Sequence, residues 1–167
     1  MKVFGFAGFS GVGKTTLIEQ LIPRFVLHGL KVSLIKHAHH NFDIDKPGKD
    51  SYRHREAGCS EVLVTSDKRW VLMHELKDEA EPSLEQQLKL FSACDLILVE
   101  GYKRAVIPKL ELHRPALGRP LLFLEDANIV ALATDAPDAI TSALPKLDIN
   151  NPEQIATFII TRLDLQR

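Results

Sequence analysis

A lysine and a hydroxyl stand side by side at Lys14 and Thr15, at the end of Gly8-Phe9-Ser10-Gly11-Val12-Gly13-Lys14-Thr15, with Thr16 next. The segment meets the spacing G-x-x-x-x-G-K-[ST] at every position. It follows an apolar run, Val3-Phe4-Gly5-Phe6-Ala7, and precedes a helical pattern with Leu17, Ile18, Leu21, Ile22 and Phe25 on one face. Strand, glycine loop and helix form the context in which this spacing means phosphate binding. The glycines let successive backbone N–H groups, those of Ser10 and Val12 among them, curl around phosphate oxygens with no Cβ in the way. The helix beginning near Gly13 turns its positive dipole end toward the same anion. Lys14 is placed to reach the β- and γ-phosphates, and the Thr15 hydroxyl to ligate Mg²⁺.

A second acid-bearing segment complements the first. In Asp95-Leu96-Ile97-Leu98-Val99-Glu100-Gly101 four consecutive aliphatics predict a strand buried on both faces. Glu100 ends that strand where open α/β sheets hold their ligands. It is the candidate for a metal contact opposite Thr15, direct or through water, with a solvated strand-end acid as the alternative. Asp135, at the end of another predicted strand, bears on base identity. A carboxylate accepts from N1–H and N2–H₂ of guanine, whereas adenine offers an acceptor at N1. The competing role for Asp135 is a cap for a helix after Pro137.

Two further groups of side chains invite chemistry. His37, His39 and His40 crowd together in a long polar stretch that also holds Asp43, Asp45, Lys49 and Asp50, with Arg53 just beyond. Histidine is a common transition-metal ligand, but no cysteine nearby completes a structural site. The other reading is a loop that orders over the γ-phosphate or a second ligand, with carboxylates such as Asp45 holding Mg²⁺ through water and the basic groups holding phosphate. Between Gly101 and Pro120, Lys103, Arg104, Lys109, Arg114 and Arg119 face one acid, Glu111. That excess suits a second anionic ligand or a solvated basic face.

The elements that must position these groups follow from periodicity. A first helix runs from about Gly13 to His28, with Pro23 inside it and Gly29 as a left-handed cap. Residues 31–36 form a second strand, parallel to the first through a right-handed crossover. A short helix spans Ser51 to Ala57, and Glu61–Thr65 with Trp70–Met73 make a hairpin around Ser66-Asp67-Lys68. A helix covers Ser83 to about Ser92. Residues 108–113 alternate like a half-buried strand at an edge. Leu121–Leu124 and Ile129–Ala133 are the last strands. Asn151 caps the closing helix, with Pro152 at its first position. The fold class is α/β: a three-layer P-loop NTPase with a mostly parallel sheet and an added β-hairpin, all in one domain spanning 1–167.

Composition bounds the reading. The chain has 167 residues, 45% of them apolar, enough for a core of its own. A net charge of −1 argues against a broad nucleic-acid surface. Cys59 and Cys94 lack metal-ligand or disulfide spacing. With no signal segment and no apolar run of membrane-spanning length, a cytoplasmic, soluble chain is expected.

Gly8 to Thr16, Ile35-Lys36-His37-Ala38-His39-His40, Phe42 to Arg53, Ala57-Gly58 and Leu98-Val99-Glu100-Gly101-Tyr102-Lys103 together resemble the MobB family of molybdopterin-guanine dinucleotide biosynthesis adaptor proteins. The stretch from Lys36-His37 to Lys46-Pro47-Gly48-Lys49-Asp50-Ser51 is the most specific part. The resemblance implies a GTP-binding protein with weak GTPase activity that assists attachment of GMP to molybdopterin. Its partner would be the MobA guanylyltransferase, its further ligand molybdopterin or the guanine dinucleotide, and its state a homodimer built by pairing β-ribbons. Many dimeric P-loop GTPases of the wider class carry an extra lysine early in the loop, near the place where Ser10 stands here. With no water-orienting glutamine or arginine finger identifiable either, slow hydrolysis is expected. The residues also admit a small-molecule kinase that holds its acceptor on the 101–120 stretch, and a GTP-driven metallochaperone using His37, His39 and His40.

Overall fold

The computed structural model describes residues 1–38 and 42–165. They form two compact units, Met1–His37 with Leu88–Arg167, and Ala38–Gln87.

The first unit is built on a six-stranded sheet. Its strands are β1 (Lys2–Ala7), β2 (Val32–Lys36), β5 (Leu96–Glu100), β6 (Lys109–His113), β7 (Ile129–Thr134) and β8 (Lys146–Asp148), in the order β2-β5-β1-β6-β7-β8 with every pair parallel. β1 and β2 run parallel as predicted, but β5 lies between them. Two helices, α1 (Lys14–Leu27) and α4 (Pro152–Leu163), pack side by side on one face. Leu17, Leu21 and Phe25 of α1 and Ile155 and Ile159 of α4 meet Phe4, Leu98, Leu110 and Ala133 in one buried cluster. Asn151 caps α4 through its side chain, which accepts from the Gln154 N–H, with Pro152 following as predicted. A smaller cluster of Ala7, Ile129, Leu132 and Ile140 is covered by Leu121, Leu122, Phe123 and Leu144.

Strand β6 departs from the expectation of a half-buried edge. It is interior, between β1 and β7, and buried along its whole length. Two of its polar residues, Lys109 and Glu111, are buried because each finds partners. Lys109 Nζ donates to the carbonyls of Lys103 (2.9 Å) and Ala105 (2.7 Å) and pairs with Asp126 (2.5 Å). Glu111 accepts from the N–H groups of Leu122 (2.7 Å) and Phe123 (2.9 Å). Those two bonds also explain why Leu121–Leu124 is a turn and not the predicted strand: its amides are taken by a side chain. β8 was not anticipated.

The second unit holds α2 (Asp50–Glu56) and a two-stranded antiparallel sheet of β3 (Glu61–Thr65) and β4 (Trp70–His74), close to the predicted hairpin. The helix expected over 83–92 is the shorter α3 (Leu84–Leu88). It opens with reciprocal bonds between Ser83 and Gln86, a capping box. Arg55 gathers this unit by pairing with Asp43, Asp45 and Glu75. No apolar residue of this unit is among the described buried core, while Phe42, Ile44, Leu63, Trp70 and Leu72 are exposed.

Candidate functional site

The phosphate loop emerges from β1 and ends in α1. Gly13 occupies the N-cap with φ 104°, a conformation that favours glycine, and gives the helix no side-chain cap. The first turn holds no acidic residue. The leading amides of α1, from Lys14, Thr15 and Thr16, therefore have no partner within the helix and face its N-terminal end, where an anion would be bound. Val12 is buried and anchors the loop in the core, and Ser10 and Gly11 are exposed at its outer turn. Lys14 Nζ donates to the carbonyls of Gly8 (2.9 Å) and Phe9 (3.1 Å), which draws the loop into a ring around the ammonium. Burial holds the Lys14 ammonium below the usual lysine range. Glu100 opposes that shift, while Lys103 and Lys36 add to it.

Thr15 and Glu100, far apart in sequence, meet at the ends of α1 and β5. The Thr15 hydroxyl donates to Glu100 Oε1 at 2.8 Å, and only 9% of the Glu100 side chain is exposed. A hydroxyl that gives its proton to a carboxylate keeps its lone pairs for a cation. The pair is all hard oxygen, the donor set that suits Mg²⁺. Gly101 makes the sharp exit from β5: at φ 105°, a Cβ there would come within 2.8 Å of the His37 carbonyl. The His37 N–H donates to the Glu100 carbonyl (2.9 Å), so the ends of β2 and β5 are tied together beside the carboxylate.

Asp135 stands at the C-terminal end of the sheet, just after β7. Its carboxylate does not cap the short 3₁₀ turn Pro137–Ala139, whose N-terminal residue is Ala136 and which has no side-chain cap bond. It pairs instead with Arg114 Nη1, and Arg114 Nε donates to the Val12 carbonyl at 3.3 Å. One guanidinium thus joins the phosphate loop to the acid expected to read the base.

The basic stretch from 101 to 120 is divided by the fold. Lys109 is buried against Asp126 and Arg114 is held by Asp135, which leaves Lys103, Arg104 and Arg119 exposed. Lys103 Nζ lies 4.9 Å and Arg119 Cζ 5.7 Å from the centre of the Phe9 ring, so two cations sit on the one aromatic of the phosphate loop.

Asp45 belongs to the second unit. Its carboxylate accepts from Ser51 Oγ (2.9 Å), the Lys46 N–H (2.9 Å) and Arg55 Nε (3.3 Å), so its oxygens are engaged by protein donors. Of the histidine group, His39 and His40 lie outside the described residues. His37 packs its ring 4.7 Å from that of Tyr102. Among the described residues no cluster of three His, Cys, Asp or Glu side chains is placed to hold a metal ion. No described helix is long and apolar enough to cross a membrane.

Sequence reasoning missed Lys36. It lies directly opposite Glu100 in the β2–β5 register, and its Nζ is 3.6 Å from Glu100 Oε2 and 3.5 Å from Thr15 Oγ1. The local signals were a lysine at the end of a strand and its place at the head of the most specific stretch of the family resemblance, and neither pointed to Glu100. Its meaning depended on knowing that β5 is the neighbour of β2.

Known proteins are similar to this chain over most of its length. The profile of the family described as "Molybdopterin guanine dinucleotide synthesis protein B" matches residues 3–135. A molybdopterin-guanine dinucleotide biosynthesis adapter protein of Escherichia coli (strain K12) is 44% identical, over 99% of this chain and 95% of that protein. A protein of the same name from Haemophilus influenzae is 46% identical, over 95% of this chain and 88% of that protein. Among solved structures, the crystal structure of a molybdopterin-guanine biosynthesis protein B superposes with a TM-score of 0.77 at 22% identity, over 97% of this chain and 99% of that one, a likeness of fold. The family profile covers well over half of the chain and the relatives match nearly all of it, and this protein belongs to that family, MobB.

Proposed function

We propose that this protein is an adapter in the biosynthesis of molybdopterin guanine dinucleotide, and that it works by holding GTP with Mg²⁺ at the phosphate loop. The names of the relatives support the adapter role. The observation that carries the nucleotide reading is the Thr15–Glu100 hydrogen bond at 2.8 Å, set at the foot of a helix whose leading amides lack partners within it. In this reading Lys14 and the amides from Ser10 to Thr16 bind the phosphates. Thr15 and Glu100 hold the cation, Glu100 through the hydroxyl it orients. Asp135 reads the guanine edge. Mg²⁺ held there by Thr15 and Glu100 would supply positive charge against that of the phosphates.

The chain's own groups position the nucleotide more than they activate water. Glu100 is occupied by Thr15 and Lys36, which leaves it poorly placed to orient an attacking water. Hydrolysis by the isolated protein should therefore run on the order of 10⁻⁴–10⁻² per second, as in P-loop proteins that await a second chain. The nucleotide is retained for a partner, the guanylyltransferase that transfers GMP to molybdopterin. The protein acts as a homodimer, because the hairpin of the second unit exposes Leu63, Trp70 and Leu72 and leaves its strand edges unpaired.

Single-turnover hydrolysis of radiolabelled GTP, alone and with the guanylyltransferase and molybdopterin, tests the reading. Tight binding with slow release of phosphate is expected, and Lys14→Ala should abolish most binding while melting like the parent. Turnover by the isolated protein of roughly 1–10³ per second, with phosphate passed to a small acceptor, would mark a kinase instead.

A further inference from the structure

Lys36 closes β2 beside the two oxygens that the reading above assigns to the cation. Its ammonium is 3.6 Å from Glu100 Oε2, a long ion pair, and donates to Thr15 Oγ1 at 3.5 Å, a long hydrogen bond. The two partners differ in freedom. The Glu100 side chain is 9% exposed and fixed by Thr15, whereas that of Lys36 is 56% exposed on a flexible four-carbon stem. An ammonium and a divalent cation cannot share this place. They would draw on the same lone pairs, and like charges a few ångströms apart repel. The Lys36 ammonium also adds to the charge of Lys14 in offsetting the cost of a carboxylate this buried.

We infer that Lys36 is a positioning residue for the metal: its ammonium balances Glu100 and keeps the Thr15–Glu100 pair assembled, and a divalent cation binds by displacing it. The inference rests on the Mg²⁺ reading of Thr15 and Glu100. The geometry supplies the sequence of events. Glu100 and Thr15 stay in place, and the exposed lysine moves out toward solvent. Metal affinity is thereby set lower than Thr15 and Glu100 alone would give, because each cation that enters must break an existing ion pair.

The test is a titration of Mn²⁺, an oxygen-seeking substitute for Mg²⁺, into protein carrying a stoichiometric non-hydrolysable GTP analogue, with free Mn²⁺ read by its EPR signal. Removing the competing ammonium in Lys36→Met should lower the Mn²⁺ midpoint by roughly three- to tenfold, the range for a half-exposed ion pair with like-charge repulsion added. Lys36→Arg keeps a charge at the position and should leave the midpoint within about twofold of the parent. An exposed strand-end residue is not needed for folding, and thermal melts of both variants verify this. A midpoint in Lys36→Met that is unchanged or higher overturns the inference. Glu100→Gln separates the two levels. If it weakens Mn²⁺ binding while Lys36→Met moves nothing, only the role of Lys36 fails. If Glu100→Gln has no effect, the metal reading fails and the inference falls with it.

Discussion

Lys109→Met asks how much of this fold hangs on one buried charge. Lys109 is 1% exposed, and its stem lies so close over Gly5 of β1 that a Cβ there would come within 2.6 Å of Lys109 Cγ. Methionine keeps the length and most of the volume of that stem, so no large cavity opens. The ammonium's three donors are lost. The carbonyls of Lys103 and Ala105 lose their side-chain partner, and Asp126 loses its counter-ion. Breaking one side of a buried ion pair costs about 3–5 kcal/mol. Asp126 retains 19% exposure and Lys103 lies on an exposed loop, so water reaches part of what is left behind. The low end applies, about 3–4 kcal/mol. For a protein of this size each kcal/mol shifts the midpoint by roughly 2–4 °C, so a fall in Tm of about 6–16 °C is expected.

The pH dependence gives that prediction a second, independent readout. Burial pushes the Asp126 carboxyl up, but hydrogen bonds from Lys109 and from the backbone and side chain of Asn128 hold it below the usual aspartate range. A depressed carboxyl contributes stability that is complete above its unfolded pKa, about 3.9, and is lost as pH falls through the folded value. The Met variant lacks the main partner of that contribution, so parent and variant should converge as the solution is acidified. Replacing Asp126 as well, in Lys109→Met/Asp126→Asn, removes the orphaned charge and should recover part of the loss. Thermal melts from pH 3 to 8 measure all of this. A Lys109→Met protein that melts within about 2 °C of the parent, less than the shift expected of a single kcal/mol, would refute the account of β6 as a strand held by its buried charges.

Three further outcomes are expected. Glu111→Gln should cost roughly 1–3 kcal/mol near neutral pH, because an amide NH₂ would face one of the N–H groups of Leu122 and Phe123 that the carboxylate accepts. Burial also holds the Glu111 carboxyl above its usual range, so the parent loses stability as pH rises through that raised value. The variant should lack this part of the slope in urea melts taken across pH. Asp135→Asn replaces an acceptor with a group that also donates, and should move preference from GTP toward XTP with ATP still excluded, as read by competition binding. Sedimentation at micromolar concentration should give a dimer, and charging the exposed hairpin face with Leu63→Glu and Trp70→Glu should give a monomer that still binds GTP.

What could be read from the sequence, and what could not, divides along the range of the interactions involved. The phosphate loop was legible because its parts are neighbours in the chain: strand, glycines, lysine, hydroxyl and helix follow one another, and each reports on the next. Glu100 was legible for a similar reason, an acid ending an unbroken aliphatic strand. Strand order was not. A βαβ unit fixes the direction of its second strand but not whether another strand inserts between the two, and here β5 does. That insertion sets Lys36 opposite Glu100, so the ion pair beside Thr15 had no local signature. β6 failed in a more instructive way. Lys109-Leu110-Glu111-Leu112-His113 alternates like a strand with one wet face, and the rule behind that reading assumes polar side chains seek water. Here Lys109 and Glu111 find their partners in the flanking segments 103–105 and 122–126, which no periodicity places. The segment around 103 in turn lays Lys103 against Phe9 of the phosphate loop. The buried charges of an interior strand therefore fix the backbone from which the exposed cations of the site project, and a misread edge strand and an undivided basic stretch were one error with one cause.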